Sequence, residues 1–126
     1  MAKVSRESAP RRDDHGVVED LAGELEGYTV NFVTLRQDLD GRPLLKGLPN
    51  DECQCPHWGY VTKGRLTFTF GERAEVYEAG EAFYTPPGHC PVSNHPGTEF
   101  VMFSPSQELR ETEAVMERNL PAMQVG

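Results

Sequence analysis

A strict alternation of side chains near the middle of the chain is the feature that most constrains the fold. Within residues 64–70, the apolar residues Leu66, Phe68 and Phe70 alternate with threonines. Because successive side chains of a β-strand point to opposite faces, this pattern predicts a strand with one face in the core. Other short segments with strand character surround it at regular spacing, separated by Gly and Pro. The chain is therefore predicted to be all-β, folded as a barrel or a double-sheet sandwich.

The strand predictions rest on segments in which β-branched and aromatic residues dominate. Besides 66–70, these segments are 28–37, 74–79, 82–85 and 99–104. Two stretches fit more than one structure. Val17–Leu25 could be a short helix or an edge strand, with Gly23 weakening the helix interpretation. Arg42–Leu48 could be a short strand that Pro43 interrupts.

The two ends of the chain differ in character. Residues 1–15 are polar and are predicted to form a mobile N-terminal arm. Residues 16–126 are long enough for a single domain with one core. Helix-capping residues at 104–106 precede a predicted short helix over residues 107–119, which Pro121 is expected to end.

Composition excludes several classes of partner. The chain has 12 Lys and Arg against 20 Asp and Glu, for a net charge of −8. Nucleic acid and anionic membrane surfaces are polyanions, so we expect neither as a partner. No apolar run reaches the length that spans a bilayer. Three cysteines, an odd number, argue against a disulfide framework and favour a cytoplasmic location.

A cluster of metal-capable residues precedes the alternating strand. In an extended segment, Cys53, Cys55 and His57 would share one face, and His89 would reach them from the end of a neighbouring strand. Thiolate and imidazole are the ligands that zinc prefers, so these four residues are predicted to bind a divalent metal ion. Zinc fits the ligand types best, with iron, manganese or nickel as alternatives. Asp51, in the loop before the cluster, is a weaker ligand candidate.

Geometry leaves alternatives open for this cluster. Along a straight strand, the Cα atoms of Cys53 and His57 would lie about 13 Å apart, so one ion could hold both only if the chain bends near Pro56 or Gly59. Without a bend, Cys55, His57 and His89 form the better trio, and Cys53 supports them or fills the core. The cysteines could also merely fill apolar space. A strained redox disulfide between Cys53 and Cys55, about 6.6 Å apart, is a further alternative.

The aromatic residues are expected to fill the barrel. Those predicted to be mostly core are Phe32, Trp58, Tyr60, Phe68, Phe70 and Tyr84. Inward-facing members of this set could line an apolar pocket for a small molecule. Tyr60, Phe68 and Tyr84 are the candidate pocket residues, since a tyrosine hydroxyl could orient a substrate.

Two motifs of the sequence resemble those of the cupins, over roughly residues 28–104. The second cupin motif begins with a glycine and continues with a proline and a second glycine, which match Gly80, Pro86 and Gly88. Its histidine position is held by Pro91 and its asparagine position by His95. In the first motif, counted back from its final Gly64, the glutamate position is held by His57. The two histidine positions there are held by Cys53 and Asp51. The spacing of the motif residues is thus similar, but most of the metal-ligand positions are held by other residue types.

The sequence also resembles a subgroup of bacterial cupins that has a Cys-x-Cys-Pro-His-Trp-Gly segment. It implies a cupin-type jelly-roll β-barrel with a short C-terminal helix, often dimeric, with a central pocket. Cupins include enzymes and non-catalytic binders, so the resemblance supplies no reaction.

Three functions are compatible with these observations. The first is a metal-binding cupin that acts on a small organic molecule in the barrel pocket. The second is a non-catalytic protein that binds or senses a metal or ligand. The third is a redox-active thiol protein that uses Cys53 and Cys55. The expected partners are a small-molecule ligand and a second copy of the chain.

Overall fold

The structure, a computed structural model, describes residues 3–124. They form nine strands, two 3₁₀ segments and a C-terminal helix. The strands are β1 (Arg11–Asp14), β2 (Val18–Leu25), β3 (Tyr28–Leu35), β4 (His57–Lys63), β5 (Arg65–Phe70), β6 (Arg73–Glu78), β7 (Ala82–Thr85), β8 (Cys90–Asn94) and β9 (Thr98–Pro105). The 3₁₀ segments are Arg42–Leu45 and Pro49–Asp51, and the helix α1 is Ser106–Gln124.

The strands form two antiparallel sheets. One has six strands in the order β1-β2-β3-β9-β4-β7, and the other has three in the order β6-β5-β8. Buried side chains from both sheets meet between them and form the main core, namely Val33, Val61, Leu66, Phe68, Tyr77, Phe83 and Phe100. This double-sheet architecture confirms the all-β prediction made from the alternating segments.

A tight turn at Gly64 passes the chain from one sheet to the other. Gly64 has φ +84°, and a Cβ atom there would lie 2.8 Å from the Cα atom of Thr98. An L side chain disfavours that φ and could not occupy that space, so the turn requires glycine.

The N-terminal part of the chain is more ordered than predicted. Arg11–Asp14 form β1, which pairs antiparallel with β2, so the prediction of a mobile arm over residues 1–15 is wrong for these four residues. The stretch Val17–Leu25, for which a helix and an edge strand were both considered, forms a strand over Val18–Leu25. A Cβ atom at Gly23 would come within 2.7 Å of a Val4 methyl group, which shows how closely the N-terminal residues lie over β2.

Three further elements differ from prediction, and proline is involved in each. Arg42–Leu45 is a 3₁₀ segment rather than a strand, with Pro43 in its first turn. No strand was predicted at Cys90–Asn94, but this segment is β8, an edge strand, where the missing N–H of Pro91 is tolerated. Helix α1 continues past Pro121 to Gln124. A proline removes only one backbone donor, and less than one full turn follows it.

Helix α1 packs on the first 3₁₀ segment at one side of the barrel. Its Leu109 joins Leu45 and the three cysteines in a second buried apolar cluster. Residues of α1 and of this segment also contribute to the wall of the internal cavity. The helix therefore closes a side of the barrel that the sheets alone would leave open.

Within the described part of the chain, no helix combines the length and the apolar character that a membrane crossing requires.

Candidate metal centre

The chain bends before β4, and the bend decides which residues converge. Cys53 forms an isolated antiparallel bridge with His89, in which its N–H donates to the His89 carbonyl at 2.9 Å. In return the Gly88 N–H donates to the Cys53 carbonyl at 2.8 Å. Strand β4 begins only at His57, and Cys55 lies in the bend between. The chain is therefore not straight over residues 53–57, and of the two alternatives left open by the sequence, the one with a bend near Pro56 is present.

Cys53, His57 and His89 converge inside the barrel. One potential ligand atom from each lies within 4.8 Å of the others, and the Cys53 Sγ atom is 3.6 Å from His57 Nε2. The two imidazole rings meet edge to face, with centroids 4.9 Å apart. All three residues are at least 95% buried. The three side chains would therefore shield a cation bound among them from bulk solvent.

Hydrogen bonds orient both imidazoles toward the cluster. His89 Nδ1 lies 2.7 Å from the Pro86 carbonyl oxygen, which can only accept, so the proton resides on Nδ1 and Nε2 carries the lone pair. His57 Nδ1 lies 2.6 Å from Ser104 Oγ. Partners of this kind on the second ring nitrogen are typical of metal-binding histidines.

Burial sets the protonation of the three groups. Burial, with a further contribution from His89, lowers the pKa of His57 to about 3. Burial also lowers the pKa of His89, opposed by its hydrogen bond to Pro86. Both rings are therefore neutral near pH 7. Burial raises the pKa of Cys53 to about 11, so without a cation this residue is a thiol. A divalent cation would offset the cost of ionising it.

Cys55 lies outside the cluster, contrary to the predicted four-ligand set. It is fully buried among apolar neighbours, and its thiol lies 3.5 Å from the Pro56 carbonyl. Burial raises its pKa to about 12. The weaker candidate Asp51 is also turned elsewhere, since its Oδ1 accepts a hydrogen bond from the Gly47 N–H at 3.0 Å. The structure thus brings together three of the four predicted ligands.

The surroundings fit a bound cation. Two neutral imidazoles and a thiol form a donor set suited to zinc, and three protein ligands leave a fourth position open. Thr85 faces His57 across the β4–β7 pair, and its fully buried Oγ1 has no hydrogen-bond partner among the described residues. Buried polar atoms rarely lack a partner, so an orphaned hydroxyl beside the cluster is consistent with a group bound there.

The cluster borders a cavity inside the barrel that has a volume of about 260 Å³ and is partly open to solvent. Apolar side chains from both sheets make much of its wall, including Val33, Leu66, Phe68, Phe100 and Met102. Phe68 was predicted to line a pocket, and it does. Polar groups from Arg11, Asp20, Asn31 and Glu113 also face the cavity. A space with this lining can hold a small molecule with an apolar body.

Tyr60 and Tyr84 do not line the cavity. They are 44% and 46% exposed, because they lie on the outer face of the six-stranded sheet. His57 points inward, and since strand side chains alternate, Trp58 and Tyr60 must point outward. Five exposed aromatic residues on this face form what we term the outer aromatic patch, Tyr28, Trp58, Tyr60, Tyr84 and Phe103. The prediction that Trp58, Tyr60 and Tyr84 belong to the core is wrong.

The polar cavity residues Arg11, Asp20 and Asn31 were not predicted from the sequence. Asn31 had a recognisable signal, since it is an amide in the middle of the apolar strand β3 on the same face as Val33. Arg11 and Asp20 gave no local signal. Their position depends on how β1 and β2 extend the sheet.

Two antiparallel sheets facing each other around an internal cavity define this chain as a cupin-type jelly-roll β-barrel. No protein-family model and no curated protein matches its sequence. The fold assignment therefore rests on the structure.

Solved structures with this fold are similar to the chain at low sequence identity. A protein of unknown function from Rhizobium leguminosarum bv. viciae 3841 has a TM-score of 0.59 and 16% identity, with 82% of this chain and 94% of that one covered. For KdgF from Halomonas sp. the TM-score is 0.52 and the identity 16%, with 75% and 87% covered. A PAC13 variant from Streptomyces, solved with uridine, has a TM-score of 0.56 and 15% identity, with 83% and 82% covered. These likenesses establish the fold and leave the reaction open.

Proposed function

We propose that this chain is a metal-binding cupin that acts on a small organic molecule in its central cavity. Cys53, His57 and His89 would hold a divalent cation, with zinc favoured by the ligand types. The observation that supports the proposal most is the convergence of these three buried side chains at the wall of the cavity. The uridine in the PAC13 structure lends support to a small organic ligand.

Three protein ligands, rather than four, favour a centre that substrate can reach. Zinc sites that only stabilise a fold have four protein ligands, whereas catalytic sites keep a position for water or substrate. A cation bound there would supply Lewis-acid chemistry to an oxygen of the bound molecule. The chain's own residues would hold that molecule against the apolar wall, exclude bulk water and keep both imidazoles neutral. A closed site with four protein ligands would favour the non-catalytic binding or sensing alternative, but three residues converge among those described.

The redox-thiol alternative has less support. The Cys53 and Cys55 thiols are free and buried, and burial raises the pKa of both well above neutrality. The thiolate is the reactive form in disulfide chemistry, so little of it would form near pH 7.

Two cysteines, one inside the cluster and one outside it, provide a matched test of the metal proposal. Both Cys53 and Cys55 are buried, so replacing each in turn with alanine imposes a similar packing change. We expect Cys53→Ala and His57→Ala to lose the metal, and Cys55→Ala to retain about one ion per chain. Elemental analysis of the purified proteins, with thiol titration before and after chelation, measures this. Wild-type protein that holds no metal and has freely titrating thiols would refute the proposal, as would equal retention in all variants.

We further propose that two copies of the chain associate through the outer aromatic patch. Monomeric proteins rarely expose a contiguous apolar area of this kind, and here Trp58 contacts both Tyr28 and Tyr84, with ring centroids 6.2 and 5.1 Å apart. Aromatic residues are also enriched in interfaces. Light scattering should give a mass of twice 14.1 kDa, and Trp58→Ser should reduce it to 14.1 kDa. A wild-type mass of 14.1 kDa would exclude this dimer.

A further inference from the structure

Asn31 lies at the cavity wall and has an unused, buried hydrogen-bond acceptor. Its side chain is 99% buried on the inward face of β3, and its Nδ2 donates to Asp20 Oδ1 at 2.8 Å. Its Oδ1 has no partner among residues 3–124. Buried side-chain polar atoms nearly always have a partner, and an atom on a cavity wall can find one in a bound molecule. The Oδ1 atom is therefore a potential ligand contact.

Asn94, a second buried asparagine at the cavity wall, differs from Asn31 in its hydrogen bonding. Asn94 accepts a hydrogen bond from the Leu39 N–H at 2.9 Å and donates to the Gln37 and His95 carbonyls at 2.8 Å each. Asn94 thus fixes the surrounding chain and has no free acceptor role. Asn31 hydrogen-bonds one other side chain, and its oxygen has no partner among the described residues.

The charges near Asn31 indicate which chemical groups could approach its oxygen. Arg11 provides the nearby cation, and it is already engaged, at 3.0 Å from Glu113 and 3.6 Å from Asp20. The acidic residues Asp13, Asp20, Glu113 and Glu117 also line the cavity. This excess of carboxyl groups disfavours a carboxylate or phosphate and favours a neutral or cationic donor. Burial raises the pKa of Asp20, which further marks this region as poorly hydrated.

Size and spacing bound the molecule that could fit. A cavity of about 150 Å³ accommodates benzene, so 260 Å³ in proportion holds about ten non-hydrogen atoms. Asn31 pairs with Met102 on β9, and Met102 pairs with Gly59 on β4. Asn31 and His57 are therefore two strands and two residues apart, which places their Cα atoms about 12 Å apart. One small molecule could thus extend from the metal cluster toward Asn31.

We propose that Asn31 Oδ1 selects ligands of this cavity by accepting a hydrogen bond from a hydroxyl or amino group. The ligand class is a small molecule of about ten non-hydrogen atoms, with an apolar body against Phe68 and Phe100 and a donor at one end. This inference rests on the proposed function, because it assumes that the same cavity is the ligand site. It does not require the metal, since Asn31 is not a ligand of the cluster.

Four probes of similar size and different polarity test the inference. They are 2-phenylethanol, 2-phenylethylamine, propylbenzene and phenylacetate, titrated into the ¹⁵N-labelled full chain with NMR detection. We expect the alcohol and the amine to bind, to shift the Asn31 side-chain amide signals, and to bind more tightly than phenylacetate. In Asn31→Leu, the preference for 2-phenylethanol over propylbenzene should fall by about tenfold, which is the loss of one buried hydrogen bond.

Thr34→Val is the matched control. Thr34 is on the same strand as Asn31 but on the opposite face, and the change likewise replaces a polar side chain with an apolar one. The ligand preference should be unchanged in this variant. If Asn31→Leu keeps the wild-type preference, or if the wild-type protein binds all four probes alike or none, the inference is overturned. Should Asn31→Leu fail to fold, the wild-type titrations and the Asn31 amide shifts decide alone.

Repeating the titrations with chelator and with added zinc separates this inference from the metal proposal. Discrimination among the probes by a protein that takes up no metal even when zinc is added would refute the metal proposal and support the role of Asn31. A metal-loaded protein that does not discriminate would support the metal proposal and refute the role of Asn31.

Discussion

Two fully buried threonines should respond in opposite ways to the same substitution. Thr98 Oγ1 donates to the His95 carbonyl at 2.7 Å and accepts from the Arg65 N–H at 3.1 Å. Thr85 Oγ1 has no partner among the described residues. Both side chains are 0% exposed, so valine, which has nearly the same shape, would be equally buried at either position.

The expected free energies of unfolding follow from these hydrogen bonds. Thr98→Val leaves the Arg65 N–H without its side-chain partner, which costs about 1–3 kcal/mol, while the His95 carbonyl keeps its hydrogen bond from Asn94. Thr85→Val removes a hydroxyl that was buried without compensation, which stabilises the metal-free protein by about 1–3 kcal/mol. The two variants should therefore differ by at least about 2 kcal/mol. For a chain of 126 residues, this corresponds to a separation of about 8 °C or more in Tm.

Urea unfolding followed by tryptophan fluorescence, with chelator present, measures both variants against the wild-type protein. Equal m-values would show that the stability has changed and not the unfolded state. A Thr85→Val protein that is destabilised as much as Thr98→Val would refute the reasoning. It would mean that the Thr85 hydroxyl is paired in solution, for example by an ordered water.

Two further predictions concern the cavity and the turn. Burial raises the pKa of Asp20 above its usual 3.8. Between pH 3.8 and the raised pKa, the folded state therefore binds more protons than the unfolded state. The stability contributed by this group is therefore present at low pH and is lost as pH rises from about 4 through the raised pKa. Urea unfolding across pH 4–7 should show that the free energy of unfolding declines less with pH in Asp20→Asn than in the wild-type protein. At Gly64, alanine must adopt φ +84° against Thr98, so Gly64→Ala should destabilise the fold by more than about 1 kcal/mol, and an unchanged unfolding midpoint would contradict this.

The local sequence pattern was sufficient to predict most of the architecture. The alternation around Phe68 and the glycine turn at Gly64 predict a strand and its core face, and both depend only on neighbouring residues. Pro91 misled the assignment of β8, because a proline argues against a central strand and nothing local shows that β8 is an edge strand.

The candidate site was only partly predictable, for physical reasons that differ between residues. His57 and His89 were found because imidazoles near Cys53 in a β-rich chain suggest a metal. Cys55 was misassigned because the bend at Pro56 rotates its side chain away, and bends of this kind depend on tertiary packing. The position of Tyr60 could have been predicted, since an inward His57 on the same strand requires an outward Tyr60 three positions later in β4.

The bridge between Cys53 and His89 has a consequence for how a cation would enter. Main-chain hydrogen bonds, and not the side chains, fix the spacing between these two residues, with 2.9 Å from the Cys53 N–H to the His89 carbonyl. The spacing of these two candidate ligands is thus set by the polypeptide itself, without any ion. Loading with a cation should leave the Cys53 and Gly88 amide protons as protected from hydrogen exchange as before, because their main-chain hydrogen bonds are already formed.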